Sequence, residues 1–112
     1  MAQSPFKLKK YEPLEKDIQA SILEYLHAKK IFCWKEHSGG LMIDGGKRYM
    51  PIGLKGKADI LGCYRGRFLA IEVKRPSGKL SVDQYEFITQ INNAGGLAFV
   101  ATSIDDVILH GI

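Results

Sequence analysis

The chain has 112 residues, a formal charge of +4 and 46% hydrophobic residues. This length is enough for one domain with a single modest core. A membrane-spanning helix needs about eighteen or more consecutive apolar residues, and the chain has no such run. The polar N-terminus is unlike a signal peptide. We therefore expect a soluble cytoplasmic protein that is not exported and has no membrane partner.

The first segment, residues 1–12, carries three lysines and no hydrophobic periodicity. Such a segment is typical of a basic arm that packs loosely or contacts nucleic acid. We expect the single folded domain to occupy residues 13–112.

The first predicted helix covers residues 14–29. Its apolar residues recur at helical spacing and form one stripe: Leu14, Ile18, Ile22, Tyr25 and Leu26. Glu15 and Gln19 are one turn apart and border this stripe. They either keep the helix soluble or point along the sheet toward a functional site.

Residues 31–37 are predicted to form the first strand. The following residues, 38–48, contain four glycines and two basic residues, and they lack the pattern of a phosphate-binding P-loop. We expect a mobile loop there, which is either a plain connector or a clamp on the substrate.

Two apolar runs, residues 58–64 and 67–73, flank Arg65-Gly66. This pattern predicts two antiparallel strands joined by a tight turn. Counting back from a two- or four-residue loop places Asp59 opposite Glu72. Facing residues have Cβ atoms about 4.5 to 5.5 Å apart, so the two carboxylates can bind one cation.

Lys74 lies two residues beyond Glu72 and therefore on the same face. Val73 points to the other face, which leaves its carbonyl free to turn toward a metal. Two carboxylates on one divalent metal with an ammonium beside them are the minimal set for hydrolysing a phosphodiester. The alternative is an ion pair of Lys74 with Glu72 or Asp59 at a sheet edge.

Both faces of this hairpin are otherwise apolar. Leu61, Cys63, Phe68 and Ala70 accompany the carboxylates, and Ile60, Leu69, Ile71 and Val73 line the reverse. We therefore expect strands that are covered on both sides. Two like charges in such a place are costly without a counter-ion. Cys33 and Cys63 are expected to be small buried hydrophobic residues in a reducing compartment.

Positive charge is concentrated around the hairpin. Residues 47–79 contain nine Lys or Arg and two acids, a local charge of +7, whereas the remainder carries −3. This distribution favours contact with a polyanionic backbone over a merely solvated loop. The residues predicted to bind nucleic acid are Lys47, Arg48, Lys55, Lys57, Arg75 and Lys79.

After the hairpin, Pro76 and Gly78 end the strand. Ser81 is predicted to cap a second helix that continues to Asn93. The apolar contacts expected for this helix come from Val82, Tyr85, Ile88 and Ile91. Gln84 follows Ser81 at the spacing of a capping box, but it also lies close enough in sequence to reach the carboxylates.

Residues 97–101 are predicted to form a last core strand, and residues 103–106 to open a short terminal helix. The predicted order is therefore helix, three strands, helix, strand and helix, which is an α/β fold.

These residues resemble the PD-(D/E)xK nuclease superfamily, and most closely its stand-alone VRR-Nuc domains of viruses, prophages and bacteria. The resemblance covers nearly the whole chain and rests on this ordered set: Glu15 and Gln19, Gly56-Lys57-Ala58-Asp59, Ile71-Glu72-Val73-Lys74 and Leu80-Ser81-Val82-Asp83-Gln84. One departure is that Lys57 and Ala58 stand where the superfamily name has a proline. This position varies among VRR-Nuc domains.

The resemblance implies a restriction-endonuclease-like αβββαβ core, a central mixed sheet flanked by helices, that cuts DNA with Mg²⁺ or Mn²⁺. Asp59 and Glu72 would bind the metal together with the Val73 carbonyl, and Glu15 would complete its outer shell. Lys74 would orient the attacking water or stabilise developing charge, and Gln84 would position the site.

The resemblance also implies a biological setting, a bacterial or virus-infected cell. Solo members are similar to junction resolvases, so the expected partners are branched DNA, such as a four-way junction, and a second copy of the chain in a homodimer. The alternatives are a non-catalytic DNA-binding module, or a nuclease subunit that needs a partner.

Overall fold

The computed structural model describes residues 11–37, 40–51 and 53–112. The helices and strands in these ranges are α1 Glu15–Ala28, β1 Cys33–Lys35, β2 Gly40–Ile43, β3 Arg48–Pro51, β4 Ile60–Tyr64, β5 Arg67–Val73, α2 Val82–Asn93, β6 Leu97–Ala101 and α3 Ile104–Leu109. In this part of the chain no helix is long and apolar enough to cross a membrane.

The central sheet has the strand order β1-β4-β5-β6. The first three strands are antiparallel, and β6 lies parallel to β5 after the α2 crossover. This mixed sheet with flanking helices confirms the predicted αβββαβ core. The terminal helix is confirmed as α3.

The β4–β5 hairpin has the predicted register, because Tyr64 pairs with Arg67 and Ile60 with Ile71. Of the two loop lengths left open, the shorter is found. Arg65 and Gly66 both have positive φ angles, 49° and 78°. Two positive φ angles in a two-residue loop match the right-handed twist of the flanking strands, so this turn fixes the register.

The sheet is covered on both faces, as predicted. Ile60, Leu69, Ile71 and Val73 pack against α1 and α3 in the main core. The other face carries Ala58, Ala70 and Ala98, which pack under α2 with Leu61 beside them. Alternating residues of one hairpin therefore enter two separate cores, and the strand ends lie between the two helical layers.

The prediction of a loop at 38–48 is wrong for the residues that the structure describes there. β2 pairs with β3 in an antiparallel hairpin that forms its own two-stranded sheet. The turn between them uses positive φ angles at Asp44, Gly45 and Gly46. The glycines therefore form a tight turn rather than a long connector. Residues 38 and 39 lie outside the described ranges.

The predicted contact face of α2 is partly wrong. Val82 and Tyr85 have exposed fractions of 85% and 64%, whereas Phe87, Ile88 and Ile91 pack against the sheet. The capped first turn sets the phase of the helix. Residues 84, 87, 88 and 91 therefore share the inner face, and 82 and 85 face outward.

One further prediction, the burial of both cysteines, needs correction. Cys33 is buried but Cys63 is exposed, since it lies near the hairpin turn. Glu12, assigned to the basic arm, contacts the domain, because its carboxylate accepts hydrogen bonds from the Ser77 N–H at 2.6 Å and the Ser77 hydroxyl at 2.9 Å. The lysines of the arm lie in residues 1–10, outside the described ranges.

Candidate active site

Asp59 lies one residue before β4, where the register continued by one step places it across from Glu72. Its backbone oxygen still accepts a hydrogen bond from the Glu36 N–H at 2.7 Å, on the β1 side. On the β5 side, its side-chain Oδ2 accepts the Val73 N–H at 2.8 Å. The Asp59 carboxylate thus takes the place of a backbone carbonyl as the acceptor for the Val73 N–H. This hydrogen bond holds the carboxylate at the end of β5.

The loop before Asp59 passes tightly against the start of α2. A Cβ atom at Gly56 would lie 2.1 Å from the Asp83 carbonyl oxygen, and Gly56 also has a positive φ of 72°. Only glycine fits both conditions without strain. This close approach brings the segment that carries Asp59 next to the first turn of α2.

Glu72 is buried on β5, with an exposed fraction of 2%. Its Oε1 accepts a hydrogen bond from Gln84 Nε2 at 2.9 Å. Its Oε2 is buried and has no hydrogen-bond partner among the described residues. Burial, followed by the nearby charge of Asp59, raises the pKa of Glu72 to about 8, although the charge of Lys74 opposes this shift.

Lys74 Nζ lies 3.7 Å from Glu72 Oε1. The ion pair considered from the sequence is therefore present, but it involves the oxygen that Gln84 also contacts. The ion pair does not involve Glu72 Oε2, and the charged form of Glu72 is still unfavourable. Lys74 is fixed to the sheet because its N–H donates to the Ala101 oxygen at 3.1 Å.

Gln84 fulfils both roles that the sequence left open. Its Oε1 accepts the Ser81 N–H at 2.9 Å, and its own N–H donates to Ser81 Oγ at 3.1 Å, which forms the capping box. Its Nε2 is the donor to Glu72. The cap therefore fixes the orientation of the amide that holds Glu72.

Glu15 lies in the exposed first turn of α1, and its charge adds to the rise in the pKa of Glu72. Within the described ranges, no three His, Cys, Asp or Glu side chains are close enough together to hold a metal ion. Glu15 therefore stands apart from the Asp59–Glu72 pair. Its predicted place in an outer metal shell stays a prediction, as does the predicted contact of the Val73 carbonyl.

The donors that are present fit a hard divalent cation. Mg²⁺ is usually held by one or two carboxylates, with waters and substrate phosphate completing an octahedron. Asp59 and Glu72 supply these carboxylates, and Glu72 Oε2 is an unpartnered buried oxygen. A cation at this position would remove the repulsion between the two acids.

Three of the basic residues predicted to contact nucleic acid already have acidic partners. Lys57 Nζ lies 3.3 Å from Glu36 Oε1, Arg75 pairs with Glu12, and Arg48 pairs with Asp44. The other three, Lys47, Lys55 and Lys79, are exposed and form no ion pair within the described part of the chain. A phosphate could reach these three without displacing a partner.

Sequence reasoning missed the role of Glu36. This carboxylate accepts Trp34 Nε1 at 2.9 Å and Lys57 Nζ at 3.3 Å. The hydrogen bond from Trp34 is the main cause that lowers the pKa of Glu36, followed by that from Lys57. Residue 36 follows directly after β1 and is two positions from Trp34, and this spacing was the available signal.

A cavity of about 390 Å³ opens beside Asp59 and was also not foreseen. It is lined by Glu15, Lys16 and Gln19 of α1, by Lys35, Glu36 and His37 at the end of β1, and by Asp59. We call it the Gln19 cavity. It lies where the first turns of α1 meet the end of the sheet that carries the carboxylates.

Comparison with known proteins finds a family whose model matches most of the chain. Residues 11–105 match the family model of the VRR-NUC domain. The match spans α1, the whole central sheet and α2, and so includes each residue of the candidate site. No curated protein matches the chain.

Proposed function

We propose that this chain, which belongs to the VRR-NUC domain family of nuclease-type proteins, is a metal-dependent endonuclease that hydrolyses DNA phosphodiester bonds. The observation that carries the proposal is Glu72 Oε2, a buried carboxylate oxygen that no donor group in the described part of the chain contacts. The neighbouring carboxylate, Asp59, can share a hydrogen bond with Glu72 only while Glu72 is protonated. Such a pair is costly without a cation and useful with one.

Asp59 and Glu72 would hold Mg²⁺ or Mn²⁺. When bound, the metal supplies a Lewis acid for the phosphate and lowers the pKa of a bound water. The protein holds the two ligands in place, because Val73 N–H fixes Asp59 and Gln84 fixes Glu72 Oε1. Gln84 thereby leaves Oε2 free to face the metal.

Lys74 is the residue we assign to the attacking water and the developing negative charge. Its ammonium lies beside Glu72 but is not fully neutralised by it. The same carboxylate also accepts a hydrogen bond from Gln84 and is affected by the charge of Asp59. A fixed ammonium at a developing oxyanion stabilises the transition state more than the ground state.

Branched DNA is the substrate we propose, cut by a homodimer. The β2–β3 hairpin supports a second copy as partner, since it exposes apolar residues on both of its faces: Leu41, Met42, Tyr49 and Met50. An isolated two-stranded hairpin is marginal in water, and exposed apolar patches mark contact surfaces. Sedimentation velocity that gives only monomers would argue against the dimer.

The test of the nuclease is incubation of the pure protein with labelled four-way, flap and linear DNA, with and without Mn²⁺. We expect cleavage only with the metal, and fastest on the four-way substrate. Asp59→Asn is the matched inactive control, because it keeps the shape and removes the charge. Equal cutting by this variant, or cutting in a chelator, would contradict the proposal.

The alternative is a non-catalytic DNA-binding module. The Glu72–Lys74 pair favours it, because an ion pair alone can account for one carboxylate oxygen. In this case added Mg²⁺ weakens DNA binding by screening, and no substrate is nicked. A nuclease subunit that needs a partner for sequence choice is distinguished by cleavage that appears only after the partner is added.

A further inference from the structure

Gln19 is a buried polar side chain that the proposed chemistry does not use. Its exposed fraction is 9%, and it forms no hydrogen bond with another described residue. Its amide nitrogen and oxygen therefore remain in contact with solvent rather than sealed in the core. The amide lines the Gln19 cavity, next to Asp59. A ligand in this cavity would satisfy it.

The groups that face this cavity without a partner are mostly donors. Lys16 and Lys35 form no ion pair within the described ranges. The one acid of the β1 side, Glu36, already accepts from Trp34 and Lys57. Of the other two acids in the lining, Asp59 already accepts the Val73 N–H, and Glu15 lies one helical turn before Gln19. The remaining surface suits an anion with several oxygens.

The size of the cavity fits a piece of nucleic-acid backbone. Its volume of about 390 Å³ greatly exceeds the roughly 30 Å³ that one water occupies in the liquid. The cavity begins at Asp59, so an anion in it would be the neighbour of a phosphate held at the carboxylates. In a nucleic-acid strand, this neighbour is the next phosphate.

We propose that the Gln19 cavity is a subsite that binds the phosphate adjacent to the scissile one, with the Gln19 amide and the Lys35 ammonium as its donors. The inference rests on the proposed nuclease function and deepens it. By fixing two successive phosphates, the enzyme aligns the scissile bond with the metal and the water. Gln19 and Lys35 act as binding residues that position the strand.

The test uses duplex DNA in which one phosphate that flanks the cleaved bond is replaced by a neutral methylphosphonate. For the unmodified protein, we expect KM to rise about tenfold at one of the two flanking positions, because a hydrogen bond to a charged group is worth about 1.5 to 3 kcal/mol. Gln19→Leu should raise KM similarly on normal DNA. The modified DNA should then cause little further rise in this variant.

Two readouts separate binding from a merely structural role. Gln19→Leu should leave the melting temperature nearly unchanged, because the Gln19 amide has no hydrogen bond to lose within the described residues. Lys35→Gln should lower the salt slope of DNA binding in Ca²⁺ by about 0.9, the value for one lost phosphate contact. Lys30→Gln, beyond the opposite end of α1, is the matched control and should leave the slope unchanged.

The two proposals fail in different ways. If the unmodified protein cuts normal DNA but tolerates a methylphosphonate at both flanks, the subsite is wrong and the nuclease stands. Additive losses of Gln19→Leu and the modified phosphate would also overturn the subsite. If normal DNA is not cut with Mn²⁺, the nuclease itself is wrong, and the subsite is withdrawn with it.

Discussion

The two hairpins of this chain are opposites in how they are held. The β4–β5 hairpin is covered on both faces. Its open end is fixed by two hydrogen bonds, from the Val73 N–H to Asp59 and from Gln84 to Glu72. The β2–β3 hairpin pairs only with itself within the described sheets and exposes apolar side chains on both faces. The first can position reacting groups to fractions of an ångström, whereas the second is suited to meeting another molecule.

The stability of the chain and the geometry of its site depend on the same residues. Each contact that fixes a carboxylate also belongs to the fold, since Val73 lies in the core and Gln84 caps α2. Substitutions at the open end of the β4–β5 hairpin should therefore fall into two groups. Some should affect the cleavage rate alone, and the others should affect both the cleavage rate and the stability. Substitutions in the β2–β3 hairpin should affect neither core stability nor the local geometry of the carboxylates.

The largest effect is expected for Lys74→Ala. Loss of the ammonium should lower the single-turnover cleavage rate by about a thousandfold, which is typical for a group that stabilises developing charge. Circular dichroism should show an unchanged fold. Lys30→Gln, beyond the end of α1, is the control and should retain most of the rate. Unchanged metal-dependent cutting by Lys74→Ala would contradict the role assigned to this residue.

The next effect is a pH dependence of stability in the metal-free protein. Because the folded state raises the pKa of Glu72 to about 8 from 4.5, it binds more protons than the unfolded chain between these values. The stabilisation that comes from the raised pKa of Glu72 is therefore fully present below about pH 4.5, and it is lost as the pH rises through 8. Glu72→Gln should remove this loss and stabilise the metal-free protein at pH 9 by about 1 to 3 kcal/mol.

Urea unfolding at pH 5 and pH 9, in chelator, measures this difference. Glu24→Gln, on the exposed side of α1, is the control and should behave like the unmodified chain. A Glu72→Gln variant that is less stable than the unmodified protein at pH 9 would mean that the buried carboxylate is adequately paired without a metal.

A smaller effect separates the two roles of Gln84. Ser81→Ala removes the cap and should cost about 1 kcal/mol of stability, with little change in cleavage. Gln84→Leu keeps the backbone N–H that donates to Ser81 Oγ, but it removes the side-chain half of the capping box and the hydrogen bond to Glu72. It should therefore cost a similar amount of stability and also slow cleavage about tenfold. Parallel thermal melts and cleavage assays test this. Equal activity of the two variants would show that the Gln84–Glu72 bond has no part in the reaction.

The smallest effect is expected for Met42→Ser in the β2–β3 hairpin. An exposed substitution away from caps and cores usually changes the free energy of unfolding by less than about 0.5 kcal/mol. Urea unfolding at low protein concentration, with Ile71→Ala in the core of β5 as the contrasting variant, measures the difference. A loss for Met42→Ser comparable to that for Ile71→Ala would break the distinction between the two hairpins.

Much of the carboxylate site could be predicted from the sequence, because the residues around it follow strict alternation. The apolar runs on either side of Arg65-Gly66 permit one register that keeps both faces buried, and this register brings Asp59 to Glu72. The capping box likewise fixed the start of α2. In these places local pattern and tertiary packing require the same arrangement.

The rest depended on contacts distant in sequence. The four-residue strands β2 and β3 are too short and glycine-rich to show a clear period. The outward position of Tyr85 depends on which side of α2 packs against the sheet. The helical spacing of apolar residues alone does not determine this side. The pairing of Lys57 with Glu36, and that of Arg75 with Glu12, join segments that only the fold brings together.

The central claim, that Asp59 and Glu72 share one divalent cation, is tested most directly by calorimetric titration of the chain with Mn²⁺ at pH 7 in two buffers of different ionisation enthalpy. We predict binding accompanied by release of a proton, because the metal must displace the proton that Glu72 holds at this pH, and loss of this binding in both Asp59→Asn and Glu72→Gln. Absence of binding, or binding that survives both substitutions, would contradict the claim.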